Sequence, residues 1–508
     1  MAFTTDLTET PHPNVITGST AQIPMLEMHS FQLKVKELLA GGSRLVGFFG
    51  SPSVAANEVH LNAVLADDSR GSLQLLRTNI ERQGHYRSFT ADFPQFHCFE
   101  REVFEQYGVR PTEHPWLKPI RYPDRRDGGI ETYPFYNLEG KEVHEVGVGP
   151  IHAGIIEPGH FRFMCYGEKV HHLEIQLGYQ HRGVEQLLLE REPGRLAPLV
   201  ETVSGDSSVA HAWAYCLVWE ALCGASATYE MDLVRGIALE LERMAMHLAG
   251  LSGMATDIGF LPGGSTYGRL RTTIINTSMR LCGSRFGRGW LRPGEVRCIL
   301  DAGILREVEN NLRLLERDIR GINELFMTSM TVQHRLKRTG KISREKAAEM
   351  GFVGMAARSA GVFQDVRTHF PGRLYGTAPI KTVVEDAGDC WARAVLRIRE
   401  IDESLRWLFS ACEAVKGVPN SAQGHTPYQV KLADPKSSSF AISLIEGWRG
   451  EVMHYIETSA QGRLIHYKVQ DPSLRNWFAV ALAVRENAIS DFPICNKSFD
   501  LSYCGQDL

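Results

Sequence analysis

Two long stretches carry the strongest periodicity. Between Leu305 and Phe326 the apolar positions are Leu305, Val308, Leu312, Leu315, Ile319, Ile322 and Phe326. Their three- and four-residue spacing places them in one stripe on a helix. Between Ala392 and Val415 the same spacing joins Val395, Ile398, Ile401, Leu405, Leu408, Cys412 and Val415. A dimeric coiled coil would use this pattern, but stripes of about three heptads inside a long chain more often build an internal bundle. Cys412 lies in the second stripe, which favours core packing over a ligand role.

The N-terminal part reads differently. Phe31 to Leu39 has helical spacing, and Arg44–Phe49 and Val59–Leu65 are apolar runs that lean to strand. Tyr86–Phe93 is a further candidate strand, and Phe99–Tyr107 is an acidic helix stopped by Gly108. The run from Pro123 to Gly129 is a turn-and-linker signature. Near the C-terminus, Val452–Glu457 and Arg463–Val469 suggest a hairpin around Ala460, Gln461 and Gly462. The expectation is an α+β protein in four parts: a polar tail over 1–30, a small α/β domain over 31–123, a linker over 124–146, and a large helical-bundle domain with minor β structure over 147–508. Internal repeats and low-complexity tracts are absent.

Composition narrows the function. With 508 residues, 43% hydrophobic and 22% charged, the chain is ordinary globular material. A formal net charge of −4 gives no footprint for nucleic acid. No stretch approaches the roughly 20 apolar residues of a membrane helix. Met1 to Pro24 is polar and lacks a secretory pattern. A soluble protein is expected, touching membrane only through an assembly. The ten cysteines include no C-x-x-C pair, and scattered cysteines default to small buried hydrophobes. Pro262 to Gly268 lacks the G-x-G-x-x-G order and a preceding strand, so direct NAD binding is not expected.

Cys98 to Arg110, followed by His114-Pro115 and the basic turn to Arg121, resembles the C component of bacterial NADH-quinone oxidoreductase. Further on come Gly149-Pro150-Ile151-His152, Glu157 to Arg162, and Leu177 to Glu185. Leu241-Glu242-Arg243 with His247 follows, then Arg292-Pro293-Gly294, Gly388-Asp389-Cys390 with Arg393, and Glu446 to Glu451. In that order they resemble the D component of the same enzyme and the large subunit of membrane-bound [NiFe] hydrogenases, including formate hydrogenlyase. A fused C/D arrangement is typical of hydrogenlyase-type large subunits, such as those like hydrogenase-four component G.

The resemblance implies a place for a nickel–iron centre held by four thiolates in two pairs. Here Ser204 and Ser207 stand at the first pair of ligand positions, and Ser502 and Gly505 at the second, with Cys504 one residue out of step. Soft metals need thiolate, so neither nickel nor any other metal is expected in this chain. A shifted alignment using Cys495 and Cys504 has a spacing that fits no standard motif. The resemblance also implies a quinone pocket. His152 matches its first histidine, His160 is the nearest to a second, and Leu187 to Pro198 offers no tyrosine.

Cavity candidates are His152, His181, Arg182, Asp206, His211, Glu446 and Arg449. Asp206 and His211 are read either as a proton relay or as a helix cap and a packing residue. Arg182 and Glu185 are read as structural or interface pairs, and Glu446, Arg449 and Glu451 as cavity lining or a solvated loop. The implied role is a subunit of an oxidoreductase complex, without a nickel–iron centre, that adjoins an iron–sulfur subunit and takes a quinone or another acceptor. The alternative is a non-redox structural or proton-coupling subunit. The implied partners are a small iron–sulfur subunit with a [4Fe–4S] cluster, a ferredoxin-like subunit and antiporter-like membrane subunits, at the cytoplasmic face of the inner membrane.

Overall fold

The computed structural model describes residues 14–53, 55–122, 132–137, 140, 142–152, 156–298, 300–416 and 428–508. The fold is mixed α+β, as the hydrophobic pattern predicts. Its N-terminal unit is a four-stranded sheet in the order Met25–Leu26, Ser72–Glu81, Glu58–Asp67, Arg44–Pro52. The helices Met28–Ala40 and His97–Tyr107 join it in one core built on Phe31, Val35, Phe48, Leu61, Leu76, Phe99 and Val103. The second helix ends where Gly108 turns left-handed, at φ 70°. Of the expected strand Tyr86–Phe93 only the start is extended: His85–Arg87 pairs in parallel with Arg110–Thr112.

The expected tail contains ordered structure. Val15–Ser19 is a strand, antiparallel to Ser439–Gly447 in the register Val15 to Ser443. That pairing puts Val15–Ser19 at the edge of the sheet Val15–Ser19, Ser439–Gly447, Gly450–Thr458, Leu464–Gln470. The last two strands are the hairpin expected around Ala460, Gln461 and Gly462. The linker turn expected at Pro123–Gly129 lies outside the described residues. Val143–Val148 belongs to a second sheet with His160–Tyr166 and Lys169–Gln176.

The bundle forms from Ser208–Leu222, Tyr229–Asp257, Leu261–Cys282, Ala302–Thr328 and Cys390–Lys416. Both predicted stripes are buried in one cluster, where Leu312, Leu315 and Ile319 share a core with Ile401, Leu405 and Cys412. The stripes therefore make an internal bundle. Charged pairs tie the two units together. Arg44 reaches Glu451 at 2.6 Å, and Lys468 reaches Glu102 at 2.6 Å.

Two features set the stage for the site. The hairpin turn between Gly447 and Gly450 presents Arg449. Gly450 has φ 138°, and a Cβ there would lie 2.8 Å from Gly354 Cα, so the turn and the Gly354–Arg358 helix approach backbone to backbone. At the C-terminus the helix Phe492–Phe499 stops at Asp500 with φ 56°. Ser502 then caps the last turn, Tyr503–Asp507.

Candidate functional site

The two segments expected to carry the metal-ligand positions meet. Ser204 Oγ lies 3.0 Å from Ser502 Oγ, and both residues are buried. Ser204 also donates to Asp206 Oδ1 at 3.0 Å. The Arg449 guanidinium fills the space between the segments. It grips Asp206 with two hydrogen bonds of 2.6 and 2.7 Å, and its Nη1 lies 3.4 Å from both Ser204 Oγ and Ser207 Oγ. Its Nε donates to the Asp500 carbonyl. The guanidinium stacks 3.9 Å from the Trp448 ring centroid, and Trp448 Nε1 donates to the Asp206 carbonyl at 3.0 Å. Burial alone would lower the pKa of Arg449, but the Asp206 carboxylate outweighs it and holds the group above its ordinary value.

Asp206 is therefore an ion-pair partner, and it makes no cap hydrogen bond to the helix that starts at Ser208. Ser502 Oγ accepts from the Gly505 N–H at 2.9 Å, and Cys504 Sγ lies 3.3 Å from it. Gly505 faces Asp471 so closely that a Cβ would lie 2.6 Å from the carboxyl carbon.

His211 points away from Asp206. Its Nε2 lies 3.1 Å from Asp471 Oδ2, and its Nδ1 lies 3.1 Å from His454 Nε2. His454 Nδ1 in turn lies 2.8 Å from the Tyr467 hydroxyl. With Tyr467 donating to His454, His454 donates to His211 and His211 donates to Asp471. The four groups are buried and form one hydrogen-bonded line ending under Gly505. Burial and the neighbouring His211 push the pKa of His454 well below that of an ordinary imidazole. Burial would raise Asp471, but the His211 hydrogen bond, with Arg449 and Ser473, holds it below the usual carboxylate range.

The remaining candidates divide. Arg182 clips the motifs together, donating to the carbonyls of Thr202 (2.8 Å), Val203 (3.1 Å) and Cys504 (3.3 Å). His181 Nδ1 lies 2.7 Å from the Asp507 carbonyl. Glu185 pairs with Lys468 at 2.9 Å. His152 and His160 hold their own loop, with ring nitrogens 2.9 Å from the Gly159 carbonyl and 3.0 Å from the Gly149 carbonyl. From the same loop Glu157 accepts from the N–H groups of Tyr503 (3.1 Å) and Cys504 (3.3 Å).

Glu446 does not join Arg449. It is buried on the strand side of the turn, 2.6 Å from Arg358, in a network with Glu400, Arg243, Glu240 and His247. Glu451 belongs neither to a solvated loop nor to the cavity; it is buried between Arg44 and Arg475. Cys495 lies with Cys390 rather than with Cys504.

Asp471, His454, Tyr467 and Glu157 are the residues that the pattern of motifs did not single out as chemistry. Glu157 stood inside a quoted motif. Asp471 follows a strand and precedes Pro472 with nothing local to mark it.

Comparison with known proteins agrees with the architecture. The model of the respiratory-chain NADH dehydrogenase 30 Kd subunit matches residues 49–135, and that of the 49 Kd subunit matches 257–507. Formate hydrogenlyase subunit 5 of Escherichia coli (strain K12) is 27% identical over 447 residues, covering 83% of this chain and 77% of its own length. Hydrogenase-4 component G of the same organism is 27% identical, with coverage of 83% and 76%. The C/D component of NADH-quinone oxidoreductase from Bacteroides thetaiotaomicron is 26% identical, with coverage of 73% and 75%. A chain of the membrane-bound sulfane sulfur reductase, an archaeal respiratory membrane complex, superposes with a TM-score of 0.67 at 21% identity. It covers 73% of this chain and 100% of its own length, and it supports the fold. Among the described residues no helix is long and apolar enough to cross a membrane. With the 30 Kd and 49 Kd matches following each other in one chain, this protein belongs to the family of fused C/D-type large subunits shared by formate hydrogenlyase, related hydrogenases and NADH-quinone oxidoreductase.

Proposed function

We propose that the chain is a subunit of a membrane-bound, hydrogenase-related oxidoreductase complex, that it adjoins an iron–sulfur subunit, and that it serves a quinone or another electron acceptor without a nickel–iron centre. The observation that carries this reading is the contact of Ser204, Ser502 and Arg449. The residues at the four aligned ligand positions do not fit a nickel–iron centre. Serine hydroxyls do not ionise near neutral pH, glycine offers no side chain, and soft divalent metals select thiolate. The guanidinium between them is a fixed cation, which opposes a second cation in the same space. Hydroxyl and guanidinium donors suit instead the carbonyl oxygens of a quinone, which gain electron density on reduction.

In this reading His152, His181 and Arg182 shape the surrounding backbone, and Arg449 with Asp206 supplies the polar wall. A partner with a [4Fe–4S] cluster would deliver electrons, with a ferredoxin-like subunit behind it. Antiporter-like subunits would provide the membrane contact at the cytoplasmic face. The experiment is quinone reduction by the reconstituted complex, with Arg449→Lys and Ser204→Ala variants. Lost turnover with preserved assembly supports the reading, and no turnover with any quinone by the wild-type complex overturns it.

A second reading, a proton-coupling subunit without redox chemistry, is favoured by the line Tyr467, His454, His211, Asp471. Its test is a His454→Phe complex, in which proton translocation should fall while electron transfer continues. Unchanged translocation removes it.

A further inference from the structure

Away from the candidate site, the first turn of the helix Cys390–Lys416 meets the helix Phe492–Phe499. Two of the ten cysteines face each other there. Cys390 and Cys495 are both fully buried. A Cβ placed on Gly340 would lie 2.8 Å from Cys495 Sγ and 3.3 Å from Cys390 Sγ, so both sulfurs sit directly beneath one turn of backbone. Gly340 takes φ 63°, and the exposed residues Arg338 and Lys341 flank it. Gly340 is itself buried, and the turn it belongs to runs out to the surface at these two residues. The Cys495 thiol hydrogen-bonds the Cys390 sulfur.

The surroundings prepare the two sulfurs for different roles. Arg393 Nη2 donates to Cys390 Sγ at 3.4 Å, and Ser498 Oγ lies 3.5 Å from it. Cys390 also opens a 27-residue helix, whose positive end favours an anion. Burial pushes the Cys390 thiol up, but the Cys495 hydrogen bond, Arg393 and Ser498 outweigh it and bring the group below an ordinary thiol. Cys495 is pushed up by the same hydrogen bond and by burial. A thiolate beside a thiol is the arrangement of an attacking and a resolving sulfur. Cys412, in the helical stripe, is pushed up to about 12 by burial and is inert packing.

We propose that Cys390 and Cys495 form a dithiol that a hydroperoxide oxidises to a disulfide. The Cys390 thiolate attacks one peroxide oxygen. The S–O bond forms, the O–O bond breaks, and hydroxide leaves, taking a solvent proton to become water. The Cys495 sulfur, giving up its proton, then displaces hydroxide from the Cys390 sulfenic acid. The S–S bond forms, and that hydroxide combines with the released proton as a second water. Two electrons pass from the two sulfurs to the two peroxide oxygens. Hydrogen peroxide is scarcely larger than water, and in this proposal it reaches the pair when the turn at Gly340 opens. The helix bearing Cys495 ends at Asp500, whose carbonyl accepts from Arg449. The dithiol therefore stands one helix away from the candidate site.

The experiment treats the full-length protein with hydrogen peroxide, blocks remaining thiols under denaturant, and maps the peptides by mass spectrometry. The expected result is the loss of two of the ten thiols and a Cys390–Cys495 linked peptide, both reversed by dithiothreitol. Cys390→Ser and Cys495→Ser should each abolish the linkage, and Cys298→Ser should leave it. Oxidation of the less buried Cys282 or Cys298 with the 390–495 pair still reduced would overturn the proposal. So would a linkage between any other pair. The wild-type map alone decides, so a variant that fails to fold leaves the test intact.

Discussion

Gly505→Ala is the smallest change that probes whether the C-terminal segment is packed into the site. The added methyl would lie 2.6 Å from Asp471 Cγ and 2.7 and 2.9 Å from its oxygens, well inside normal contact. Asp471 cannot easily give way. Its oxygens are held by the Ser473 N–H at 2.8 Å and by His211 at 3.1 Å. Overpacking a filled interior costs about 1–3 kcal/mol. Breaking a hydrogen bond to a charged group costs about 1.5–3 kcal/mol. Part of each is avoided if the last turn shifts, so a net loss of about 3 kcal/mol is expected. The assay is denaturant unfolding of wild type, Gly505→Ala, Asp471→Ala and the double variant. Removing the Asp471 carboxylate opens the space, so the double variant should be less destabilised than the sum of the singles. A Gly505→Ala protein within about 0.5 kcal/mol of wild type, the range of an ordinary surface change, would refute the reasoning.

Other outcomes follow from the same geometry. Arg449→Met should cost about 2 kcal/mol of unfolding free energy; a fully buried pair would cost about 3–5, but Asp206 is partly open to water. Its side chain is 37% exposed against 4% for Arg449. Arg449→Lys should recover little, because an ammonium cannot bind the carboxylate at two points. A variant as stable as wild type in urea melts would contradict the ion pair. Acid should weaken the fold through His247, lowered by burial from 6.5 to about 4 despite its 2.6 Å contact with Glu400, whose charge Arg358 and Arg243 already balance. Below pH 6.5 the unfolded chain takes a proton that folded His247 declines. Stability should therefore fall by about 1.4 kcal/mol per pH unit from that group until the pH reaches its folded value. His247→Gln should remove one proton from the pH slope measured between pH 6.5 and 5, and an unchanged slope would show that the imidazole is already charged in the fold.

Much of this was legible in the sequence, and the exceptions have physical causes. The stripes of Leu305–Phe326 and Val395–Val415 marked two helices because a buried face needs residues three and four apart. Ser72–Glu81 carries no clear strand signal although it is an inner strand. Arg77 and Gln74 make it look solvated, yet Arg77 is buried against Glu457 and Tyr455 of the other unit. Val15–Ser19 is a strand only because Ser439–Gly447 lies beside it, and no local pattern announces a partner at the far end of the chain.

Within the site, Ser204 and Ser502, singled out in separate motifs, lie in contact. Glu446 and Arg449 sit three residues apart, but the turn sends them to opposite sides. Asp206 and His211 share one motif, which reads as a proton relay or as a cap and a packing residue. One turn of helix directs His211 instead to Asp471 and His454, which come from later strands. Contacts assembled from distant segments leave no trace in spacing, whereas periodic burial does.

The two motif-bearing segments meet through Ser204 and Ser502 beside the Arg449 guanidinium, and the proposed function takes these groups to stand where a nickel–iron centre would need sulfur. Nickel content of the complex purified from its natural host, by elemental analysis against chain concentration, decides whether that substitution means what it implies. Nickel at background is the expected result. One nickel per chain, lost on substitution of residues in the Ser204–Ser207 or Ser502–Gly505 segments, would contradict it.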